Sequence, residues 1–207
     1  MRNLLFILFL SIITTAQAQT RLDNPELYIG VTLGSTASMV MFSPTIAQDY
    51  ILGYNGGFVF RYIAEKNVGV QAELNFSQRG WSESTGLYSR QLNYIELPFL
   101  THIYIGKKNR IFLNVGPKIS YLLSEKVIVN NTLNSENQHT TLIQNPFDYG
   151  LCAGLGFMFN IKHNVYQLDT RASYSFNDVF ANSKADYFAA SKNLNLSVNL
   201  AWMLQIK

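Results

Sequence analysis

The sequence is poor in several features by which a protein is usually assigned to a class. Its 207 residues include a single cysteine, Cys152, so a disulfide within the chain is impossible and cysteine usage does not decide the compartment. The net charge of +3 is small and its basic residues are dispersed, which gives no argument for binding to nucleic acid. Pro-rich tracts, Gly/Ser runs and blocks of like charge are absent as well, so one domain without linkers is expected.

Long hydrophobic runs are also missing, except near the N-terminus. Leu4–Ile13 is apolar for about ten residues, and it lies between Arg2 and the small-residue site Ala16-Gln17-Ala18. A helix needs about twenty residues to span a bilayer, so this run is too short to serve as one. We interpret residues 1–18 as a secretory signal peptide and residues 19–207 as the mature domain; a membrane anchor is the alternative. Any crossing of a membrane is then left to β-strands.

The clearest pattern that is present lies in Val68–Arg79. Apolar residues occupy every second position from Val68 to Phe76, and polar or charged residues occupy the positions between them. This period of two is typical of a β-strand and cannot arise from a helix. The opposite face carries full charges, which indicates a wall between lipid and a polar interior.

The same alternation recurs along the chain and predicts eight strands. They are Leu27–Gly34, Gly53–Tyr62, Val68–Arg79, Leu92–Ile105, Arg110–Ser124, Phe147–Ile161, Val165–Phe176 and a last strand from Leu194 to Gln205. Pro98 falls within the fourth strand, where a proline cannot donate to the ladder, so a bulge or a local loss of pairing is expected there.

The connections alternate between short and long. Short turns are predicted near Glu65, Lys107 and His163, and long loops are predicted over Ser35–Leu52, Gly80–Arg90, Glu125–Pro146 and Asn177–Ser191. Bacterial barrels place short turns in the periplasm and long loops outside, and an even number of strands leaves both termini in the periplasm. We therefore predict an all-β fold, an eight-stranded antiparallel up-and-down transmembrane β-barrel, surrounded by the lipid of the cell outer membrane.

The two faces of this barrel differ in charge. The outward face is almost free of charged residues, whereas the inward face is predicted to hold eight, balanced in sign: Arg61, Arg79, Lys118, Arg171, Glu73, Glu96, Asp148 and Asp169. Eight strands leave an interior that side chains roughly fill, so a salt-bridge network that fills the lumen is expected. A path for ions or solutes is the alternative. The inward glycines Gly150, Gly154 and Gly156 are expected to make room for bulky neighbours.

Motifs for catalysis or cofactor binding are weak. His102, His139 and His163 fall on a strand, a loop and a turn, and no metal-ligand spacing links them with Cys152. Nothing resembling a nucleophile elbow frames a serine, and phosphate- or dinucleotide-binding motifs are absent. We expect no cofactor, no metal and no enzymatic activity; a site in the lumen or at its rim with His102 as the base is the alternative.

Several segments together resemble one known family. They are GGFVFRY at Gly56–Tyr62, VQAELNFSQRG at Val70–Gly80, YIELPFL at Tyr94–Leu100, LNVGPKISYLL at Leu113–Leu123, FDYGLCAGLGF at Phe147–Phe157 and LDTRASYSF at Leu168–Phe176. In order and spacing they resemble the PorT-type outer-membrane β-barrel family of Bacteroidota. The resemblance implies a porin-like barrel of eight strands, and it links the chain to the type IX secretion machinery, to which the founding members are tied.

Three functions are compatible with these patterns. The first is an integral barrel with a structural or interaction role, with a partner in the outer membrane or periplasm such as the secretion machinery. The second is a small porin for ions or small solutes. The third is a soluble secreted barrel that binds a lipid, but it requires apolar residues inside, and the charged strand positions face away from the aromatic ones.

Overall fold

The computed structural model describes residues 21–84, 86, 88–129, 143–180 and 189–206. The predicted signal peptide, residues 1–18, lies outside these ranges, as do residues 130–142 of the predicted loop Glu125–Pro146 and residues 181–188 of the predicted loop Asn177–Ser191. Within the described ranges, no helix is both long and apolar enough to cross a membrane.

Eight long strands form the fold. They are β1 (Arg21–Ser43), β2 (Ile51–Glu65), β3 (Val68–Glu83), β4 (Tyr88–Gly106), β5 (Asn109–Val129), β6 (Phe147–Ile161), β7 (Asn164–Ser175) and β8 (Ala190–Gln205). Each strand pairs antiparallel with the next, and a two-residue strand, Gln48–Asp49, adds to β3. The pairing of β1 with β8, from Tyr28↔Gln205 to Ser43↔Ala190, closes the ring. The predicted eight-stranded up-and-down barrel is confirmed.

The two ends of the barrel are unlike each other. At the short-turn end, β2 is joined to β3, β4 to β5 and β6 to β7 by two-residue turns. Asn67 and Lys162 adopt positive φ in the first and last of these turns, a conformation that asparagine tolerates well. The four remaining connections lie at the opposite end, which we call the long-loop end.

Side chains alternate between the outside and the inside of the ring. On β2, Phe58 is 65% exposed while its neighbour Val59 is 2% exposed, and Phe60 and Arg61 repeat the contrast. The pattern follows from the two-residue period of a strand. The outside is apolar and the inside is largely polar, which is the reverse of a soluble protein and suits a wall exposed to lipid.

Aromatic side chains gather at two levels on the outer surface. Toward the long-loop end, the Tyr149 ring lies 6.2 Å from that of Phe147 and 6.3 Å from that of Phe176. Toward the short-turn end, Tyr166 and Trp202 are exposed, and Trp202 Nε1 donates to Asn164 Oδ1 at 3.0 Å. Rings with an apolar body and a polar edge favour the boundary between lipid and water, so such rings near both ends are typical of a barrel that crosses a membrane.

Two of the predicted long loops are wrong in extent. Most of Ser35–Leu52 belongs to β1, which continues to Ser43 while paired with β8, and to the start of β2. Gly80–Arg90 is divided between β3 and β4 with a short turn between them. The reason is a change in the pattern: toward the long-loop end apolar residues occupy both faces of β1, with Val40 and Phe42 buried and Met41 exposed.

Pro98 interrupts the ladders on both of its sides, as expected. Pairing of β3 with β4 passes from Ala72↔Phe99 to Asn75↔Glu96, and pairing of β4 with β5 passes from Pro98↔Lys118 to Thr101↔Val115. The register is the same before and after each gap. The shift in register lies elsewhere on β4, between Asn93 and Tyr94.

The lumen as the candidate functional site

All eight charged residues predicted for the interior lie inside the barrel, and they form two clusters. The first, the Arg79 cluster, contains Arg79, Glu96, Lys118 and Asp148. Arg79 Nη1 donates to Asp148 Oδ2 at 2.8 Å, its Nη2 pairs with Glu96, and Lys118 Nζ lies 3.8 Å from Glu96 Oε1. The Arg79 guanidinium also lies over the Tyr94 ring, 4.6 Å from its centroid. Residues from four different strands therefore meet at one point of the lumen.

The second group, the Arg171 cluster, contains Arg61, Glu73, Asp169 and Arg171. Arg171 pairs with both carboxylates, through Nη1 to Glu73 Oε2 at 2.7 Å and through Nε to Asp169 Oδ1 at 3.1 Å. Arg61 is fully buried, but its hydrogen bonds go to Gln71, Gln167 and the sulfur of Met158 instead of a carboxylate.

The two glutamines connect Arg61 to the acidic residues. Gln71 donates to Glu73, and Gln167 Nε2 donates to Asp169 Oδ2 at 2.8 Å. Burial of an ion without compensation costs several kcal/mol, and these amides relay part of that compensation. Sequence reasoning placed Arg61 inside but left the two glutamines out of the predicted network, because that network considered charged residues alone.

Little empty space remains between the clusters. A cavity of about 30 Å³, room for about one water molecule, is lined by both clusters and by Cys152. Ser173 accepts from Lys118 Nζ at 3.1 Å on one side of it, and its hydroxyl lies 3.4 Å from the side-chain amide of Asn195 on the other. The middle of the lumen is therefore filled by paired side chains.

Two of the three inward glycines make room for a large side chain. A Cβ at Gly154 would lie 2.9 Å from Cγ of Arg171, and one at Gly156 would collide with the ring of Phe112. At Gly150 the obstacle is the backbone of Tyr174 on the neighbouring strand, so that glycine serves close approach of two strands.

An apolar cluster closes the lumen at the long-loop end, and sequence reasoning missed it. This long-loop plug consists of Val40, Phe42, Trp81, Tyr88, Leu92, Tyr94, Val179 and Phe180. The Trp81 ring meets Phe42 edge-on at 5.4 Å and Phe180 at 6.0 Å. Arg90 lies 5.7 Å from both Trp81 and Phe180, and its Nη2 pairs with Glu125 Oε2 at 2.5 Å.

A second apolar cluster closes the short-turn end. This short-turn plug consists of Tyr28, Val59, Ile63, Tyr104, Phe112, Met158, Val165 and Met203. Arg110 lies over the Tyr104 ring at 4.4 Å and binds Glu26 through two nitrogens, at 2.6 and 2.7 Å. The signal was present in the sequence, since large apolar residues occupy inward positions near both ends of the strands.

His102 and Cys152 are buried inside the barrel, whereas His163 is exposed. His102 is fully buried, its Nδ1 lies 2.7 Å from Asn114 Oδ1, and its ring lies against Tyr104 and Phe112 in the short-turn plug. His163 lies exposed in a turn, and His139 lies outside the described residues. In the described part of the chain, no three or more His, Cys, Asp or Glu side chains are grouped so as to hold a metal ion.

Comparison with known proteins identifies the family. The model of the outer membrane protein beta-barrel domain matches residues 16–181. The chain belongs to this family. Its place is therefore the cell outer membrane, within lipid, as predicted. A search of curated proteins found no match.

Solved outer-membrane barrels are similar at low sequence identity. Ail of Yersinia pestis is 14% identical with a TM-score of 0.45, and the alignment covers 86% of this chain and 98% of that one. OprG of Pseudomonas aeruginosa is 11% identical with a TM-score of 0.49, covering 87% and 93%. Neisserial surface protein A is 10% identical with a TM-score of 0.48, covering 86% and 98%. Similarities of this size say nothing about what the chain does.

Removal of one charge from the Arg79 cluster should destabilise the barrel more than removal of a pair. Arg79→Met leaves Asp148 buried without its cation, and we expect the free energy of unfolding to fall by about 3–5 kcal/mol. Adding Asp148→Asn should recover part of this loss, because Lys118 and Glu96 remain as an oppositely charged pair. Urea unfolding in lipid vesicles, followed by tryptophan fluorescence, measures both. If the losses in free energy of unfolding caused by Arg79→Met and by Asp148→Asn simply added in the double variant, the two side chains would not interact, which would contradict the cluster.

Proposed function

We propose that this protein is an integral outer-membrane barrel with a closed, side-chain-filled lumen and a structural or interaction role. The observation that carries the proposal is the sequence of barriers along the lumen: an apolar plug, two neutralised charge clusters and a second apolar plug. A porin needs a continuous wet path, whereas the side chains of each plug pack against one another and are nearly free of solvent.

The charges inside the barrel serve stability in this proposal, and they do not serve transport. A permeating ion would have to separate ion pairs such as Arg79–Asp148 and Arg171–Glu73, both nearly free of solvent. Breaking a buried pair costs about 3–5 kcal/mol, and the ion would then meet apolar side chains with no hydrogen bonds to offer. The small-porin alternative therefore requires rearrangement of both charge clusters and of both plugs.

Interaction with other molecules then falls to the surfaces of the barrel. The wall contacts membrane lipid, and the short turns face the periplasm while the long-loop end faces outward. The resemblance to PorT-type barrels of Bacteroidota supports a partner in the outer membrane or periplasm that belongs to the type IX secretion machinery. The chain acts without a cofactor and without enzymatic chemistry, and the dispersed charge gives nucleic acid no surface to bind.

The interaction role is tested by purification of the tagged mature protein from cross-linked native outer membranes. We expect secretion-machinery components to be recovered reproducibly, and a barrel of similar size from the same membrane serves as the control. Recovery of the barrel alone, at every cross-linker length, would contradict the interaction role.

Closure of the lumen predicts that the purified protein does not conduct. In planar bilayers in concentrated KCl, the wild type should produce no stable current steps, because both plugs exclude water. Trp81→Ala combined with Phe112→Ala removes a large ring from each plug and should introduce openings. Leu155→Ala, which truncates an exposed apolar side chain on the lipid-facing wall, is the control and should produce no current steps. Steady conductance of the wild type would favour the porin instead.

A further inference from the structure

Lysines occupy all three turns at the short-turn end of the barrel. Four side chains, which we call the turn lysines, lie there: Lys66 between β2 and β3, Lys107 and Lys108 between β4 and β5, and Lys162 between β6 and β7. All four are exposed, and within the described part of the chain none of them forms an ion pair. Their charges therefore face the surroundings of the barrel.

Acidic side chains at this end do not offset the turn lysines. The structure describes two of them. Glu26 is already neutralised, because its two carboxylate oxygens accept from Nη1 and Nη2 of Arg110 at 2.6 and 2.7 Å. Glu65 is half-buried at the end of β2 and supplies a single negative charge. An excess of positive charge remains on the turns.

Backbone hydrogen bonds hold the three turns in place. In each case the strand that follows the hairpin donates to a carbonyl oxygen of the turn. The bonds run from Tyr104 N to Asn67 O at 2.9 Å, from Asn160 N to Lys108 O at 3.2 Å and from Gln205 N to His163 O at 2.8 Å. The turns are thus continuous with the sheet, and the backbone positions of the turn lysines are fixed around the rim.

The turn lysines border the lipid-facing wall. Lys107 follows Ile105 by two residues and Lys162 directly follows Ile161, and these isoleucines are 75% and 57% exposed on the outside of the barrel. A lysine in such a place can lay its aliphatic stem along apolar surface while its ammonium group stays at the level of the lipid headgroups. The cations therefore lie where phospholipid phosphates begin.

We propose that the turn lysines bind the headgroups of anionic phospholipids in the leaflet at the short-turn end. Two features support this occupant: the charges are complementary, and the site is continuous with the wall that contacts lipid. A lysine near an anionic membrane surface is worth about a fivefold preference for that surface. This inference rests on the integral-barrel role proposed above, and it names the class of lipid that the role leaves open.

An acidic protein is the alternative ligand for these cations. Each turn is separated from the next by two strands, so the turn lysines are spread around the rim. A lipid headgroup can reach each of them without displacing anything, because each turn borders the lipid. One protein would have to cover the whole end of the barrel to meet all three turns. The arrangement therefore favours lipid.

The test measures which lipids the full mature chain immobilises in phosphatidylcholine vesicles. Traces of spin-labelled phosphatidylglycerol or spin-labelled phosphatidylcholine report the immobilised fraction by electron spin resonance. Averaged over the whole lipid shell, we expect about a twofold preference for phosphatidylglycerol at low ionic strength, and a smaller one in 1 M NaCl because salt screens exposed charges. Equal immobilisation of the two lipids would overturn the proposal and would leave the turn lysines to an acidic protein.

Substitution locates the site. Replacing all four turn lysines with glutamine should abolish the preference, whereas replacing all four with arginine, which keeps the charge, should preserve it. Lys126→Gln with Lys192→Gln removes two cations from the long-loop end and is the matched control, which should leave the preference unchanged. Equal loss in this control, or a preference that survives in the glutamine variant, would overturn the assignment.

Failure of this inference can be told apart from failure of the proposed function. Bilayer conductance and cross-linked purification test the closed lumen and the interaction role, and neither measurement depends on the turn lysines. Urea unfolding of the glutamine and arginine variants verifies that the barrel itself is intact, as expected for substitutions of exposed side chains.

Discussion

The hydrogen-bond requirement of the backbone in lipid governs this structure. A strand that crosses a bilayer has no water to satisfy its N–H and C=O groups, so the sheet must close, and here β1 closes it by pairing with β8 along most of its length. Closure at eight strands then sets a narrow interior. The alternation of side chains that follows from the strand period puts apolar residues against lipid and leaves polar residues to be satisfied by one another inside.

Charged side chains inside the lumen are neutralised by ion pairs that join different strands of the barrel. Arg79 on β3 meets Asp148 on β6, and Arg171 on β7 meets Glu73 on β3. Toward both ends the inward positions change from mostly polar to mostly apolar, and packed side chains such as those of Trp81 and Phe112 form the two plugs. The lumen thus contributes to stability along its whole length.

The strands were predictable because lipid selects for one property at every second residue, as in Val68–Phe76. Which side chains face the lumen was predictable for the same reason. Contacts between strands distant in the chain were not predictable, because the pairing of Arg79 with Asp148 depends on barrel width and strand tilt, which alternation does not encode. Alternation also does not show how far along the barrel axis a residue lies, so Phe42 and Phe112 could not be assigned to plugs. The small residues Ser35 and Ser38 made the upper part of β1 resemble a loop.

Access of solvent to Cys152 tests the closed lumen most directly. This single cysteine lies inside the barrel, 3% exposed, beside the small cavity between the two charge clusters. The measurement is its rate of modification by a small charged methanethiosulfonate reagent, for the native protein in lipid nanodiscs and for the urea-unfolded chain. The closed lumen predicts complete modification when unfolded and essentially none when folded. Rapid modification of the folded protein would show a water path past a plug and would contradict the account.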